Sequence, residues 1–143
     1  MSGRTDGASA ASGGTPDAAP AAGTFHLFVY GTLRRNGAAS GALAGCERIG
    51  AAVVGGSLYD IDGRYPALLL YGDGAVHGEV WRCPARLLRE LDEHEGVADG
   101  LFRRVALQVD GRACWTYVAG PRLARQVVAK HRIASGDWTR LRA

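Results

Sequence analysis

The sequence lacks any apolar run approaching the roughly 20 residues of a membrane-spanning helix, so we expect no membrane segment. Its first 24 residues contain no large aliphatic side chain besides Met1 and thus lack the apolar core of a signal peptide. Alanine, glycine, serine, threonine and proline dominate this stretch, as in disordered segments. We therefore predict a disordered tail at 1–24 and one domain at 25–143, because 143 residues are enough for one domain and short for two.

Cysteine is also rare. The three cysteines, Cys46, Cys83 and Cys114, are widely spaced, odd in number and form no C-x-x-C motif. This pattern favours free thiols in a reducing compartment over a disulfide framework. Together with the missing signal peptide, it predicts a cytoplasmic protein.

Motifs for cofactors and metals are missing as well. The sequence has no Walker A string, no G-x-G-x-x-G and no G-x-S-x-G nucleophile elbow. The four histidines, His26, His77, His94 and His131, are scattered, and their spacing matches no zinc signature. We therefore predict that the protein uses neither a metal nor a cofactor.

The net charge of +3 is unevenly distributed along the chain. Residues 121–143 contain six basic residues and one acidic residue, whereas the preceding residues contain 11 basic and 13 acidic ones. A basic C-terminal region can contact nucleic acid, but this one carries no interleaved aromatic platform and no recognition-helix pattern. We expect a solvated basic edge and no nucleic-acid partner.

What the sequence does contain is a series of short strand patterns around one clear helix. Asp110-Gly111 joins two of the strands and is the strongest hairpin signal in the chain. The helix is predicted to begin at Pro84 and to end at Gly96, and a weaker helical stretch follows the hairpin. Strands are predicted at Phe25–Tyr30, Ile49–Tyr59 with a break at Gly55-Gly56, Pro66–Tyr71, Ala75–Arg82, Leu101–Val109 and Arg112–Val118. This mixture predicts an α+β fold.

The end of the helix, LDEHEGV, carries three carboxylates that helical periodicity separates. At about 100° per residue, three leucines form an apolar stripe: Leu87, Leu88 and Leu91. Glu95 falls inside this stripe, Glu93 lies on the opposite face, and Asp92 and His94 lie at the two edges. Apolar surroundings and the negative end of the helix dipole would both raise the pKa of Glu95. A raised pKa suits a proton-transferring acid/base near neutral pH.

A structural role for Glu95 is the alternative. Its carboxylate could reach solvent, or it could pair with Arg103 or Arg104 on the following strand. Periodicity alone leaves both interpretations open.

A second candidate site is the string YGTL, Tyr30 to Leu33, at the end of the first strand. Gly31 permits backbone conformations closed to other residues, so the turn could direct several N–H groups at a ligand carboxylate or carbonyl oxygen. An ordinary strand-to-loop turn is the alternative.

Five strings, taken together and in order, resemble the gamma-glutamylcyclotransferase-like superfamily, and within it the AIG2-like or gamma-glutamylamine cyclotransferase branch. They are FVYGTLRR, GGSLYDIDGRYPALL, VHGEVW, LDEHEGV followed by LFRRVALQV, and SGDW. The resemblance covers the chain from about Phe25 to Trp138. One departure is Phe102, which stands where many relatives have tyrosine, so any hydrogen bond made by that hydroxyl is lost here.

The resemblance implies a small mixed, curved or barrel-like β-sheet flanked by a few helices. It also implies an enzyme that cyclises a gamma-glutamyl group to 5-oxoproline and releases an amine or amino acid, without a cofactor. Carried over to this sequence, Glu95 is the catalytic general acid/base, and Tyr30, Gly31, Thr32 and Leu33 bind the substrate.

Two other functions remain open. One is a non-catalytic small-molecule-binding or stress-response module on the same fold. The other is a tailoring enzyme that removes a gamma-glutamyl protecting group in a biosynthetic pathway. The sequence makes no prediction of the amine released or of the oligomeric state.

Overall fold

A computed structural model describes residues 23–31, 43–72, 74–127 and 131–138, and within these ranges it contains eight strands and two α-helices. The predicted α+β fold is confirmed. Most of the predicted tail, and Thr32 and Leu33 of the YGTL string, lie outside the described residues. The elements are β1 Thr24–Val29, β2 Glu47–Gly55, β3 Ser57–Ile61, β4 Tyr65–Leu69, β5 Ala75–Pro84, α1 Leu88–His94, β6 Phe102–Val109, β7 Arg112–Ala119, α2 Pro121–Val127 and β8 His131–Arg132.

The described strands form two sheets. Five strands make a mixed sheet in the order β2-β5-β1-β7-β6, in which only the β1–β7 pair is parallel. The other three strands form an antiparallel sheet in the order β4-β3-β8. The chain passes between the sheets at Gly56, whose φ of 152° and close approach to the Leu69 carbonyl both require glycine. The predicted break at Gly55-Gly56 is therefore the junction between two sheets.

The predicted hairpin is confirmed. Strands β6 and β7 pair from Phe102↔Ala119 to Val109↔Arg112, which leaves only Asp110 and Gly111 in the loop. Both loop residues have positive φ, 52° and 77°, as a type I′ turn requires. The register of every residue pair in this hairpin follows from that turn.

Strand β1 is buried on both faces, which explains its nearly continuous apolar sequence. On one face, Leu27 and Val29 belong to a core cluster that includes residues of both helices. On the other face, Phe28 belongs to a second cluster with Leu58 of β3 and Leu68 of β4. The end of β1 is thus held between two hydrophobic layers.

Helix α1 follows the predicted pattern, with a small difference at its start. Pro84 is the last residue of β5, and a short 3₁₀ turn at Ala85–Leu87 precedes the helix. The helix ends with Glu95 as its C-cap residue and Gly96 in the left-handed conformation, φ 65°. The three leucines of the predicted stripe are buried. Among the described residues, no helix is long and apolar enough to cross a membrane.

Candidate active site

A cleft of about 270 Å³ lies where the end of β1, the start of β4, the C-terminus of α1 and the β6–β7 hairpin meet. It brings together Tyr30, Gly31 and Glu95, three of the five predicted site residues. The other two, Thr32 and Leu33, lie outside the part of the chain that the structure describes. The cleft is also lined by aromatic side chains, Tyr65, Phe102 and Tyr117 among them. Its volume suits a small ligand, since sites for drug-sized molecules are about 300–1,000 Å³.

Glu95 faces this cleft from the C-terminus of α1, and its side chain is 15% exposed. Burial raises the pKa of this carboxyl to about 7, because the carboxylate loses hydration. Within the described residues, the one basic group at ion-pair distance is His94, whose Nε2 lies 3.6 Å from Oε2 of Glu95. His94 itself is half-exposed, with 42% of its side chain accessible. Glu95 is therefore a partly protonated carboxyl at neutral pH inside a small cleft.

Asp92, three residues earlier on the same helix, is bound in a different way. Arg104 donates to both of its oxygens, Nε to Oδ1 at 2.8 Å and Nη2 to Oδ2 at 3.0 Å. The Tyr117 hydroxyl donates to Oδ1 at 2.7 Å. The guanidinium of Arg104 also lies 4.5 Å from the ring centroid of Trp115. Arg104 is thus paired with Asp92 and not with Glu95, which was one alternative that the sequence left open.

The Asp92 network was missed in the sequence analysis, although a signal for it was available. The Asp110-Gly111 turn fixes the register of the hairpin, and this register places Arg104 directly opposite Tyr117. Asp92 at the edge of the leucine stripe lies next to that pair. The helix position and the strand register had to be combined to find it.

Tyr30 lines the cleft, and its hydroxyl makes a hydrogen bond within the protein. The hydroxyl donates to the backbone carbonyl of Tyr117 at 2.6 Å, and the ring lies 6.4 Å from that of Phe28. Burial raises the pKa of the Tyr30 hydroxyl well above its usual value, and the nearby Glu95 carboxylate contributes. Tyr30 therefore remains a neutral phenol tied to β7.

Tyr117 connects the two candidate regions. Its carbonyl accepts the hydrogen bond from Tyr30, while its hydroxyl donates to Asp92. Burial and this hydrogen bond to a carboxylate both raise the pKa of the Tyr117 hydroxyl. The end of β1 and helix α1 are thereby fastened to the same residue of β7.

Gly31 is required for a reason other than the one we expected. It is not among the glycines with positive φ, so the prediction that it uses a conformation closed to other residues is wrong. A Cβ at this position would lie 2.8 Å from Cγ of Pro66, which is buried at the start of β4. Glycine is needed because the two backbones approach closely at the wall of the cleft.

A metal centre finds no support in the described ranges. No group of three or more His, Cys, Asp or Glu side chains there is arranged to hold a metal ion. The three cysteines are free thiols, and Cys83 and Cys114 are buried.

A family model and a similar protein of known sequence place the chain in the same family. Residues 27–140 match the family model described as gamma-glutamyl cyclotransferase, AIG2-like. The chain is 34% identical over 115 residues to the gamma-glutamylcyclotransferase family protein YtfP of Escherichia coli K12, a match that covers 80% of this chain and 96% of the relative.

Solved structures agree with this match. The solution structure of ytfP from E. coli aligns with a TM-score of 0.65 at 32% identity, over 83% of this chain and 100% of that one. The crystal structure of an AIG2-like protein from Mus musculus aligns with a TM-score of 0.68 at 26% identity, over 80% and 88%. These alignments cover nearly the whole of both relatives.

Proposed function

Because this chain belongs to the AIG2-like gamma-glutamyl cyclotransferase family, we propose that it converts a gamma-glutamyl compound into 5-oxoproline and a free amine or amino acid. The observation that carries the proposal is Glu95, a carboxyl with a pKa of about 7 that faces a small cleft beside Tyr30 and Gly31. The cytoplasmic location predicted from the sequence stays part of this proposal.

The proposed chemistry needs one group that both accepts and donates a proton. The α-amino nitrogen and the γ-carbonyl carbon of a gamma-glutamyl group are the ends of a five-atom chain, so attack of one on the other closes a five-membered ring. The α-ammonium must first lose a proton, and Glu95 as carboxylate accepts it. When the C–N bond to the leaving group breaks, Glu95 returns that proton to the departing nitrogen. The ring nitrogen loses its second proton to solvent, which leaves the neutral lactam. A pKa near 7 suits both steps, because neither form of the carboxyl is strongly favoured.

The remaining tasks are orientation of the substrate and exclusion of water. Nucleophile and electrophile belong to the same molecule, so the protein gains most by holding the chain folded for attack. The small volume of the cleft and the aromatic residues in its lining support this role. We assign the backbone N–H groups of the YGTL string to the α-carboxylate or the developing oxyanion. Of this string, Tyr30 and Gly31 lie in the described structure, and both line the cleft.

A non-catalytic module is less well supported. Burial of the Glu95 carboxyl costs stability, and proton transfer gives a reason for that cost which a purely structural module lacks. A tailoring enzyme would use the same reaction on another acceptor, and nothing in the geometry favours it over a general cyclotransferase.

The decisive experiment measures 5-oxoproline release by the purified protein from gamma-glutamyl amino acids, gamma-glutamyl-ε-lysine and simple gamma-glutamyl amines. Glu95→Gln removes the titrating group and keeps the shape of the side chain. Glu93→Gln is the matched control, because Glu93 is exposed on the same helix. We expect release by the wild type and by Glu93→Gln, and loss in Glu95→Gln. A folded wild-type protein that releases no 5-oxoproline from any of these compounds would contradict the proposal.

A further inference from the structure

Arg64 lies at the cleft and has no part in the chemistry described above. It occupies the turn between β3 and β4, where its backbone N–H donates to the Ile61 carbonyl at 3.0 Å. Its guanidinium lies 5.5 Å from the ring centroid of Tyr65, which also lines the cleft. Among the described residues that line the cleft, Arg64 is the single arginine or lysine. Among the residues that the structure describes, the permanent positive charge at the cleft therefore comes from Arg64.

The contact made by Arg64 differs from those of three other arginines. Arg48, Arg82 and Arg104 each pair with a carboxylate: Glu79, Glu47 and Asp92. Within the described ranges, Arg64 makes no such pair, and its contact is with the face of Tyr65. An aromatic face orients a guanidinium without using its N–H donors, which remain available to a ligand.

The position of Arg64 relative to Glu95 indicates which part of a substrate it meets. Tyr30, Glu95 and Tyr117 are at the inner end of the cleft, where little of their surface is accessible. Arg64 is exposed, so it stands at the rim. The glutamyl group must reach Glu95 for cyclisation, and the leaving group therefore points outward toward the rim.

We propose that Arg64 is a specificity-determining residue that binds a carboxylate on the leaving group. This inference rests on the proposed function, and it assigns a preference for gamma-glutamyl amino acids over gamma-glutamyl derivatives of uncharged amines. The planar guanidinium binds a carboxylate through two parallel hydrogen bonds, which Tyr65 helps to pre-orient. Because the rim is exposed, we expect a preference of about tenfold rather than a larger one.

The test compares gamma-glutamyl-alanine with gamma-glutamyl-alaninamide, which replaces the carboxylate by a neutral amide of similar shape. We expect the wild type to favour the first in kcat/KM by about tenfold. Arg64→Gln should lose most of its activity on gamma-glutamyl-alanine and keep its activity on the amide. Arg64→Lys should fall between the two, because it keeps the charge and loses the planar fork. Arg89→Gln is the control, an exposed arginine of α1 outside the cleft.

Two results would overturn the inference while leaving the proposed function intact. One is equal activity of the wild type on both compounds. The other is an equal loss on both in Arg64→Gln, which would assign Arg64 to the α-carboxylate of the glutamyl group.

A binding measurement separates this inference from the reaction itself. Calorimetric titration of the Glu95→Gln variant with both compounds needs no turnover. Tighter binding of gamma-glutamyl-alanine, lost when Arg64→Gln is added, supports the role of Arg64 even if no 5-oxoproline is released by the wild type. Equal binding of the two compounds contradicts it.

Discussion

Two carboxylates at the C-terminal end of α1, three residues apart, are held in opposite ways. Asp92 accepts hydrogen bonds from Arg104 and Tyr117, so its charge is compensated at every oxygen. Glu95 is buried at the wall of the cleft, and burial raises its pKa to about 7. The difference shows how one short helix holds a structural anion and a reactive acid side by side. The donors that surround the group decide which of the two it becomes.

The largest expected effect is the loss of catalytic activity when Glu95 is replaced. Glu95→Gln should lower kcat/KM for 5-oxoproline release by about 10²- to 10⁴-fold, the usual contribution of a general acid/base. The thermal midpoint should not fall, because the variant removes a carboxyl whose ionised form is disfavoured by burial. A variant that retains more than a tenth of the wild-type kcat/KM would show that Glu95 is not the acid/base.

Substitution of Asp92 should lower the stability of the protein rather than the rate of the reaction. Asp92→Asn removes the charge that compensates the buried guanidinium of Arg104 and should cost about 3 kcal/mol in the free energy of unfolding, measured by urea titration. The double variant Asp92→Asn with Arg104→Met should be less destabilised than Asp92→Asn alone, because the uncompensated cation is gone. If the double variant loses the sum of both single effects, the ion pair is not what stabilises this region.

The pH dependence of stability tests the raised pKa of Glu95. The pKa of Glu95 is about 7 in the folded state and lies near 4.5 in the unfolded chain, so between these values the folded state binds more protons. Stability from this group is therefore present below pH 4.5 and is lost as the pH rises to 7. The free energy of unfolding of Glu95→Gln relative to the wild type should rise by about 2 to 3 kcal/mol over this interval. Glu93→Gln should give a flat difference, and a flat difference for Glu95→Gln would contradict the raised pKa.

The smallest expected effect is that of removing the Tyr117 hydroxyl, which donates one of the three hydrogen bonds to Asp92. Tyr117→Phe removes the 2.7 Å hydrogen bond to Oδ1 of Asp92, while both bonds from Arg104 remain. We expect a loss of about 1 kcal/mol in unfolding free energy, the usual value for one hydrogen bond. In the Asp92→Asn background, Tyr117→Phe should lower the unfolding free energy by less than in the wild type. A double-mutant cycle measures this difference. Identical costs in both backgrounds would show that the hydroxyl does not act through Asp92.

Most of the local structure could be predicted from the sequence, because its signals are short-range. The leucine stripe placed Glu95 toward the interior, and Gly96 marked the end of the helix. Asp110-Gly111 specified a type I′ turn and with it the hairpin register. These features depend on residues less than a few turns apart, where backbone sterics and side-chain periodicity act directly.

The features that failed or were missed depend on contacts between distant segments. Gly31 is required by Pro66, a residue 35 positions away, and not by its own backbone conformation. Asp92 became a structural anion because the hairpin brings Arg104 and Tyr117 to it. The division into two sheets at Gly56 likewise depends on how β4 packs against the turn. No local pattern contains this information.

The sequence by itself determined the elements of this protein and which face of each is apolar, because these follow from propensity and periodicity along the chain. It also supplied Glu95 and the YGTL string as candidates. Only the tertiary structure decided that Glu95 borders a cleft, where burial raises its pKa, and that Asp92 is bound by Arg104. Both outcomes depend on burial and on donors that distant segments bring to the helix.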